Sequence, residues 1–507
     1  MRLGRSALGD IGERWSRDTE SLLLHVLGLT LTVTGVAIVA SGVVGWMRGG
    51  PDVVTLAILG TVVGLVGLVF WRGTTLPRQI RILDVFVTVT LAWVALTLVG
   101  ALPYVLTGTI TAYDDAMFES IAGFTTTGAT VLRPIEGTGP GILFWRSITQ
   151  WLGGMGVIVL VVAVLPTVGS GGMSLLEAEA PGPTGERLTP RVRQTARRLW
   201  GVYLGFTVVL ALAYIAAGMS LYDGVAHSFT TVSTGGFSPY NASLGHFDSG
   251  LIEWIAIVAM FIAGTSFTLL YRLIRGRAGP LLKSKEFHLY TALVFGVAAV
   301  LFVVNDATGS VADRIRGAFF ATTTITSTTG YGTDDFGSWS QGAQAVILLL
   351  LPIGAMAGST AGGVKLIRVL AVGSYAHREA LRHLHPRLVR PVRVGGGVMP
   401  DRTADKIVGF LILALATFGG GAVAIALTGP DIITSFSAAA TAFGNVGPGL
   451  GDVGPTNDFL MLPRVARWVT MVQMLLGRLE IYPVILALSV VTLRRRYRDL
   501  TIESLVD

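Results

Sequence analysis

Long apolar runs set off by short polar breaks recur along the whole chain. They fall near 22–46, 53–71, 82–107, 142–166, 200–219, 251–274, 288–304, 343–371, 405–428 and 466–493. Each is close to the roughly 20 apolar residues that a helix needs to cross a bilayer, so ten spans are predicted. From residue 82 onward the runs come in pairs, and between the members of each pair sits a segment too short to span. These four segments are expected as half-helices over 115–124, 223–230, 313–325 and 431–443. Each has an aspartate near its start: Asp115, Asp223, Asp313 or Asp431. A carboxylate there accepts from unpaired amides and complements the positive end of the helix dipole. The first two runs carry no such segment and read as lipid-facing helices packed onto the core. The first is also too long for a cleaved signal peptide.

Each half-helix leads into a variant of one polar, glycine-bearing loop. Phe124-Thr125-Thr126-Thr127-Gly128-Ala129-Thr130 returns as Thr231-Val232-Ser233-Thr234-Gly235-Gly236 and as Thr326-Ser327-Thr328-Thr329-Gly330-Tyr331-Gly332. A more distant version is Gly444-Asn445-Val446-Gly447-Pro448-Gly449. Four units of one orientation predict a pseudo-fourfold pore. A filter made of backbone carbonyls requires unusual backbone angles and no side chain in the path, hence glycine. The candidate filter is therefore Thr126, Thr127 and Gly128; Ser233, Thr234 and Gly235; Thr328, Thr329 and Gly330; and Asn445, Val446 and Gly447. Non-helical backbone at membrane depth is tolerated only where protein buries it or it lines a water-filled cavity.

Composition agrees with the pattern. Of 507 residues 51% are hydrophobic and 14% charged, and the mean hydropathy is +0.65; soluble domains carry about 25% charged residues. The absence of cysteine excludes disulfides, thiolate metal sites and thiol catalysis. The terminal stretches and linkers on one side of the ten spans hold most of the Lys and Arg, with clusters in 1–21, 187–198, 272–285, 365–406 and 494–498. The positive-inside rule therefore predicts cytoplasmic termini and four external loops. Acidic residues divide evenly, so the outer face is net negative. The net charge of +7 is a cytoplasmic-face property, and no nucleic-acid partner is expected.

Two features inside the spans carry chemistry. The run 343–371 is interrupted by Pro352, Gly354, Gly358, Gly362 and Gly363, with Ser359 and Thr360 among them. That density of breakers either unwinds the helix or permits close helix packing. Arg478 is the only Lys or Arg set well inside a predicted span, where an unpaired, lipid-facing placement costs roughly 2.5–3.5 kcal/mol. It is either braced by loop carbonyls or a charge beside the pore. His227 reads as a packed, hydrogen-bonded residue. No second histidine stands at metal-ligand spacing from it, and the 447–451 glycines lack the strand–helix context of a phosphate loop. A membrane-embedded enzyme would need clustered acidic or histidine side chains, and Glu480 stands almost alone.

At the four loops, and again at Ile262-Ala263-Gly264-Thr265-Ser266-Phe267 and Ala357-Gly358-Ser359-Thr360-Ala361-Gly362-Gly363-Val364-Lys365, the chain resembles the Trk/Ktr/HKT superfamily of potassium transporters. The likeness is closest to the bacterial TrkH type, because of the two extra N-terminal spans, and it runs over about 82–495. It implies an all-α polytopic membrane protein with four helix–pore loop–helix repeats around one pore. The expected divisions are 1–78 for the extension, then 79–180, 181–280, 281–385 and 386–507 for the repeats. It implies potassium as the transported ion and no cofactor in this chain. It also implies a gate under the filter made by Gly354, Gly358, Ser359, Thr360, Gly362, Gly363 and Lys365, with Arg478 as an electrostatic barrier. A homodimer in the cell (inner) membrane is implied, served by a separate cytosolic TrkA-like RCK subunit that binds nucleotide. The basic loops 187–198, 272–285 and 365–406 are the docking candidates, with anionic membrane lipid as their other expected partner. The alternative is a cation-coupled secondary transporter, a potassium/sodium or potassium/proton symporter, using the same site. Inverted repeats would mark such a carrier, whereas all four units here share one orientation.

Overall fold

The structure, a computed structural model, describes residues 3–77, 82–164, 189–305, 309–385, 387, 391–394 and 397–489. The beginning of the basic stretch 187–198, part of 365–406, the end of the last predicted span and the arginines of 494–498 lie outside the described residues. Among the described residues, six helices are long and apolar enough to cross a membrane, or eight if two sharply bent pairs each count as one span.

Helices α1 (Leu3–Met47) and α2 (Val53–Gly73) form an antiparallel pair. They pack backbone to backbone: a Cβ at Gly35, Gly60 or Gly67 would lie under 3.0 Å from main-chain atoms of the opposite helix. The pair rests on α3 (Ile82–Leu106) and α5 (Pro140–Val164). The repeats follow in order. α4 (Tyr113–Phe124) lies between α3 and α5, and α7 (Leu221–Val232) follows α6 (Thr189–Ala216). After α7 come α8 (Gly250–Ala263) and α9 (Phe267–Ile274), which meet at 104° where one straight span over 251–274 was expected. Gly264 stands at that corner, where a Cβ would lie 2.3 Å from the hydroxyl of the buried Tyr290.

In the third repeat α11 (Val311–Thr326) follows α10 (Lys285–Val304). The expected span 343–371 is not one helix: α12 (Gln341–Leu350) stops, residues 351–365 run as an irregular loop, and α13 (Leu366–Leu384) resumes. The density of Pro and Gly removes donors and side-chain packing from the interior of that segment. A small antiparallel hairpin, β1 (Val392–Val394) and β2 (Gly397–Met399), then interrupts the helical pattern. The fourth repeat has α14 (Asp401–Ala426), α15 (Ile432–Gly444) and α16 (Arg464–Arg478). The chain bends by 108° into the helix Tyr482–Ser489, through left-handed Glu480 and Ile481.

The short helices α4, α7, α11 and α15 match the four predicted half-helices within a few residues. Ser220 and Ser310 cap α7 and α11 by accepting from Asp223 N and Asp313 N, while their hydroxyls donate back to those carboxylates. Asp431 caps α15 itself, accepting from Thr434 N at 2.6 Å. Asp115 has a different partner, an ion pair with Arg467 of α16 at 3.0 Å. Beside it Asp114 holds Arg464, so the first half-helix is tied to the fourth repeat.

Candidate ion-conduction site

The four loops share one backbone course. Each half-helix ends and the chain turns left-handed within two residues, at Thr126, Thr234, Thr328 and Asn445, with φ of 54°, 55°, 58° and 54°. For a β-branched threonine this is a true outlier, costing on the order of 1–3 kcal/mol. It recurs three times, so the surrounding structure must impose it. Two residues later comes a left-handed glycine: Gly128, Gly236, Gly330 and Gly447. In the second loop the equivalent position is thus Gly236, one residue beyond the expected Gly235, and Ser233 falls at the helix cap. Two adjacent glycines hide that register in the sequence.

Hydrogen bonds explain what the course achieves. Thr127 N and Gly128 N both donate to Ala122 O, at 2.9 and 3.2 Å. Gly235 and Gly236 share Thr230 O in the same way, and Thr329 and Gly330 share Thr324 O. In the fourth loop Val446 N donates to Thr441 O. In a trans peptide the carbonyl points opposite to the next N–H. The carbonyls of 126 and 127, and their counterparts, therefore point away from their own half-helix.

Those carbonyls close a circle. A Cβ built on Gly128 would lie under 3.0 Å from Gly235 O, on Gly236 from Thr329 O, on Gly330 from Val446 O, and on Gly447 from Thr127 O. Each loop's glycine abuts the next loop's carbonyl, and the fourth returns to the first. One ring is thus formed by the carbonyls of Thr127, Gly235, Thr329 and Val446. Just inward, Thr126 Oγ1 and Asn445 Oδ1 are buried and have no partner among the described residues. Such oxygens, together with the carbonyls, suit a desolvated monovalent cation. The half-helices present their negative ends to the same place.

On the other side of the ring lies an open cavity lined in part by Gly128, Gly236, Gly330 and Gly447. Tyr240 stands at its rim and donates to Asp223 Oδ1. Burial, then the Asp223 charge, pushes the Tyr240 phenol up to about 12. It therefore stays a neutral donor at physiological pH. At the start of α11, the hydrogen bond from Ser310, followed by that from Arg316, holds the Asp313 carboxyl below its usual range. His227 is packed as expected, with Nδ1 on Asp223 O and Nε2 on Ser238 Oγ.

The loop 351–365 lies beneath the ring. Gly362 N donates to Thr328 Oγ1 at 2.8 Å, and Gly362 is too close to Asn445 and to Gly444 O for any side chain. Gly354 N pairs with Val364 O, closing the loop's base, and a side chain on Gly354 would strike Gly362 O. Gly358 and Gly363 take left-handed turns. Gly358 O accepts from Phe267 N, Ser359 Oγ turns back on Met356 O, and Thr360 Oγ1 donates to Val232 O. Lys365 Nζ donates to Ala361 O from below. Glu286 of α10 accepts from Ala357 N and Ile367 N, at 2.8 and 3.0 Å, gripping both limbs.

Arg478 reaches this loop. Its Nη1 donates to Thr360 O and its Nη2 to Gly153 O, both at 2.9 Å. Of the two sequence readings, the geometry displays the carbonyl brace; the charge sits on the loop it holds. Glu480 pairs instead with Arg368. The sequence reading missed a second buried arginine. Arg146, 1% exposed near the start of α5, pairs at 2.7 Å with the wholly buried Glu119 of α4. A charge four residues into an apolar run, facing a carboxylate in a half-helix, was the available signal.

The cation transport protein family TrkH matches residues 55–308 and 281–496. The chain belongs to the TrkH family. Trk system potassium uptake protein TrkH of Vibrio parahaemolyticus is 36% identical over 484 residues, covering 92% of this chain and 98% of that relative. The TrkH of Escherichia coli K12 is 36% identical over 424 residues, 82% of this chain and 87% of its own length. The crystal structure of the potassium transporter TrkH from Vibrio parahaemolyticus superposes with a TM-score of 0.83 at 34% identity, covering 92% of this chain and 97% of that one. Like other TrkH members, the chain is an all-α, multi-pass membrane protein.

Proposed function

We propose that this chain is the potassium-translocating subunit of a Trk uptake system. The observation that carries the reading is the closed circle of four equivalent carbonyls, each seated against a left-handed glycine of its neighbour. Such a ring replaces water around a weakly hydrated cation without a side chain in the path. Under this reading Thr126, Thr127 and Gly128, with Thr234, Gly235 and Gly236, Thr328, Thr329 and Gly330, and Asn445, Val446 and Gly447, form the filter. The loop 351–365, held by Arg478, Lys365 and Glu286, is the gate, and the chain conducts rather than catalyses. The repeats divide at about 79, 181, 281 and 386. Both termini face the cytoplasm of a cell (inner) membrane, following the bias of Lys and Arg. A homodimer works with a cytosolic nucleotide-binding RCK subunit docked on the basic loops.

The test is growth of a potassium-auxotrophic bacterium at limiting potassium, with this chain expressed alone and together with such a subunit. Rescue that potassium supports and sodium does not compete for is expected. Failure to rescue, with the protein present in the membrane, would overturn the reading.

A further inference from the structure

The ring is formed by four equivalent carbonyls, and among the described residues one of them, Gly235 O, accepts from a side chain. Helix α5 of the first repeat presents Arg146 and Gln150, one turn apart and both buried, to the second loop. Gln150 Nε2 donates to Gly235 O at 2.7 Å, and Gln150 Oε1 accepts from Phe237 N at 3.0 Å. The amide thus pairs with the loop as a neighbouring strand would. Arg146 adds Nη1 to Ser238 O at 2.9 Å and lies 4.1 Å over the Phe237 ring. Its charge is met by Glu119, so what reaches the loop is a set of directed N–H groups rather than a free cation. Among the described residues, no side chain donates to the equivalent carbonyls of Thr127, Thr329 and Val446.

A carbonyl oxygen has two lone pairs, and an amide on one of them fixes where the other points. Among the described residues three carbonyls of the ring carry no side-chain donor, and the fourth is tethered by one. We propose that Gln150, supported by Arg146, is a positioning residue for cation discrimination. It holds the Gly235 carbonyl at the radius of the larger ion and so opposes collapse of the ring around sodium. This rests on the reading of the four loops as a potassium filter.

The fourth repeat indicates a tolerable substitution. Gly153 and Gly477 stand alike, each facing the carbonyl two residues before the left-handed turn, Phe124 O and Phe443 O. Three residues earlier, Gln150 therefore corresponds to Met474, and methionine is accommodated in that packing. Gln150→Met removes both hydrogen bonds at nearly constant length, while Gln150→Glu keeps an acceptor for Phe237 N and loses the donor to Gly235 O.

The full chain is reconstituted in liposomes, and the sodium-to-potassium permeability ratio is read from the reversal potential. Both variants are expected to raise this ratio several-fold while still passing potassium. A ratio does not depend on how much protein is folded, so simple destabilisation does not move it. A Gln150→Glu ratio equal to wild type overturns the role of the Gly235 bond, and an unchanged ratio in both variants overturns the proposal. If the wild-type protein itself does not prefer potassium, the filter reading falls instead, which is a distinguishable result.

Discussion

At the scale of single residues, the ring leaves no room for a side chain at Gly128, Gly330 and Gly447, nor, in the second loop, at Gly236, one residue beyond the expected Gly235. Gly128 has φ 79° and abuts Gly235 O, so a side chain there is strained and also intrudes on a ligand. Gly128→Ser is expected to lower potassium-over-sodium discrimination several-fold in flux assays; ratios identical to wild type would count against a filter at this loop. Arg478 is the second residue whose role is local and testable. Arg478→Ala leaves Thr360 O and Gly153 O without donors, a loss of about 1–3 kcal/mol for each buried acceptor. Lower thermal stability with faster basal flux is the expected outcome, because the brace also holds the loop beneath the ring. Arg478→Lys keeps the charge without the planar fork that spans two carbonyls. It should therefore keep flux low if charge is the barrier, and raise flux if bracing is what matters.

At the scale of elements, the loop 351–365 is the part of the chain whose removal is most informative. It is pinned to the ring by Gly362 N on Thr328 Oγ1, to the first and fourth repeats by Arg478, and to α10 by Glu286. Deleting residues 358–362 should raise basal potassium flux in liposomes if the loop obstructs the path. A folded, stable deletion variant that conducts like the parent would make the segment a packing device. The short helices were legible because each is too short to span, has an aspartate near its start and ends in a polar, glycine-bearing loop. The bend at Gly264 was not legible, since an apolar run of full length has the same pattern whether straight or folded at 104°.

At the scale of the whole molecule, α1 and α2 form a unit beside the pore rather than part of its wall. Gly35 faces Gly64 so closely that any side chain must separate the two helices. Gly35→Leu should destabilise the protein by about 1–3 kcal/mol through overpacking. In the same preparation the sodium-to-potassium ratio should stay at its wild-type value. A shifted ratio would show that the extension supports the filter.

Local sequence alone determined the helical class, the four repeated units, the placement of glycine and threonine and the charge bias of the linkers. Each of these follows from short-range chemistry: apolar length against bilayer thickness, caps against orphan amides, glycine against positive φ. Tertiary structure alone decided which of two adjacent glycines, Gly235 or Gly236, takes the left-handed turn, and which carbonyl each glycine meets. It also decided the pairing of Arg146 with Glu119, and whether Arg478 braces carbonyls or stands free. Those outcomes depend on groups separated by 27 to 325 positions along the chain. No local pattern encodes such meetings, because the energy that selects them comes from burying charged and polar groups that only the assembled repeats can satisfy.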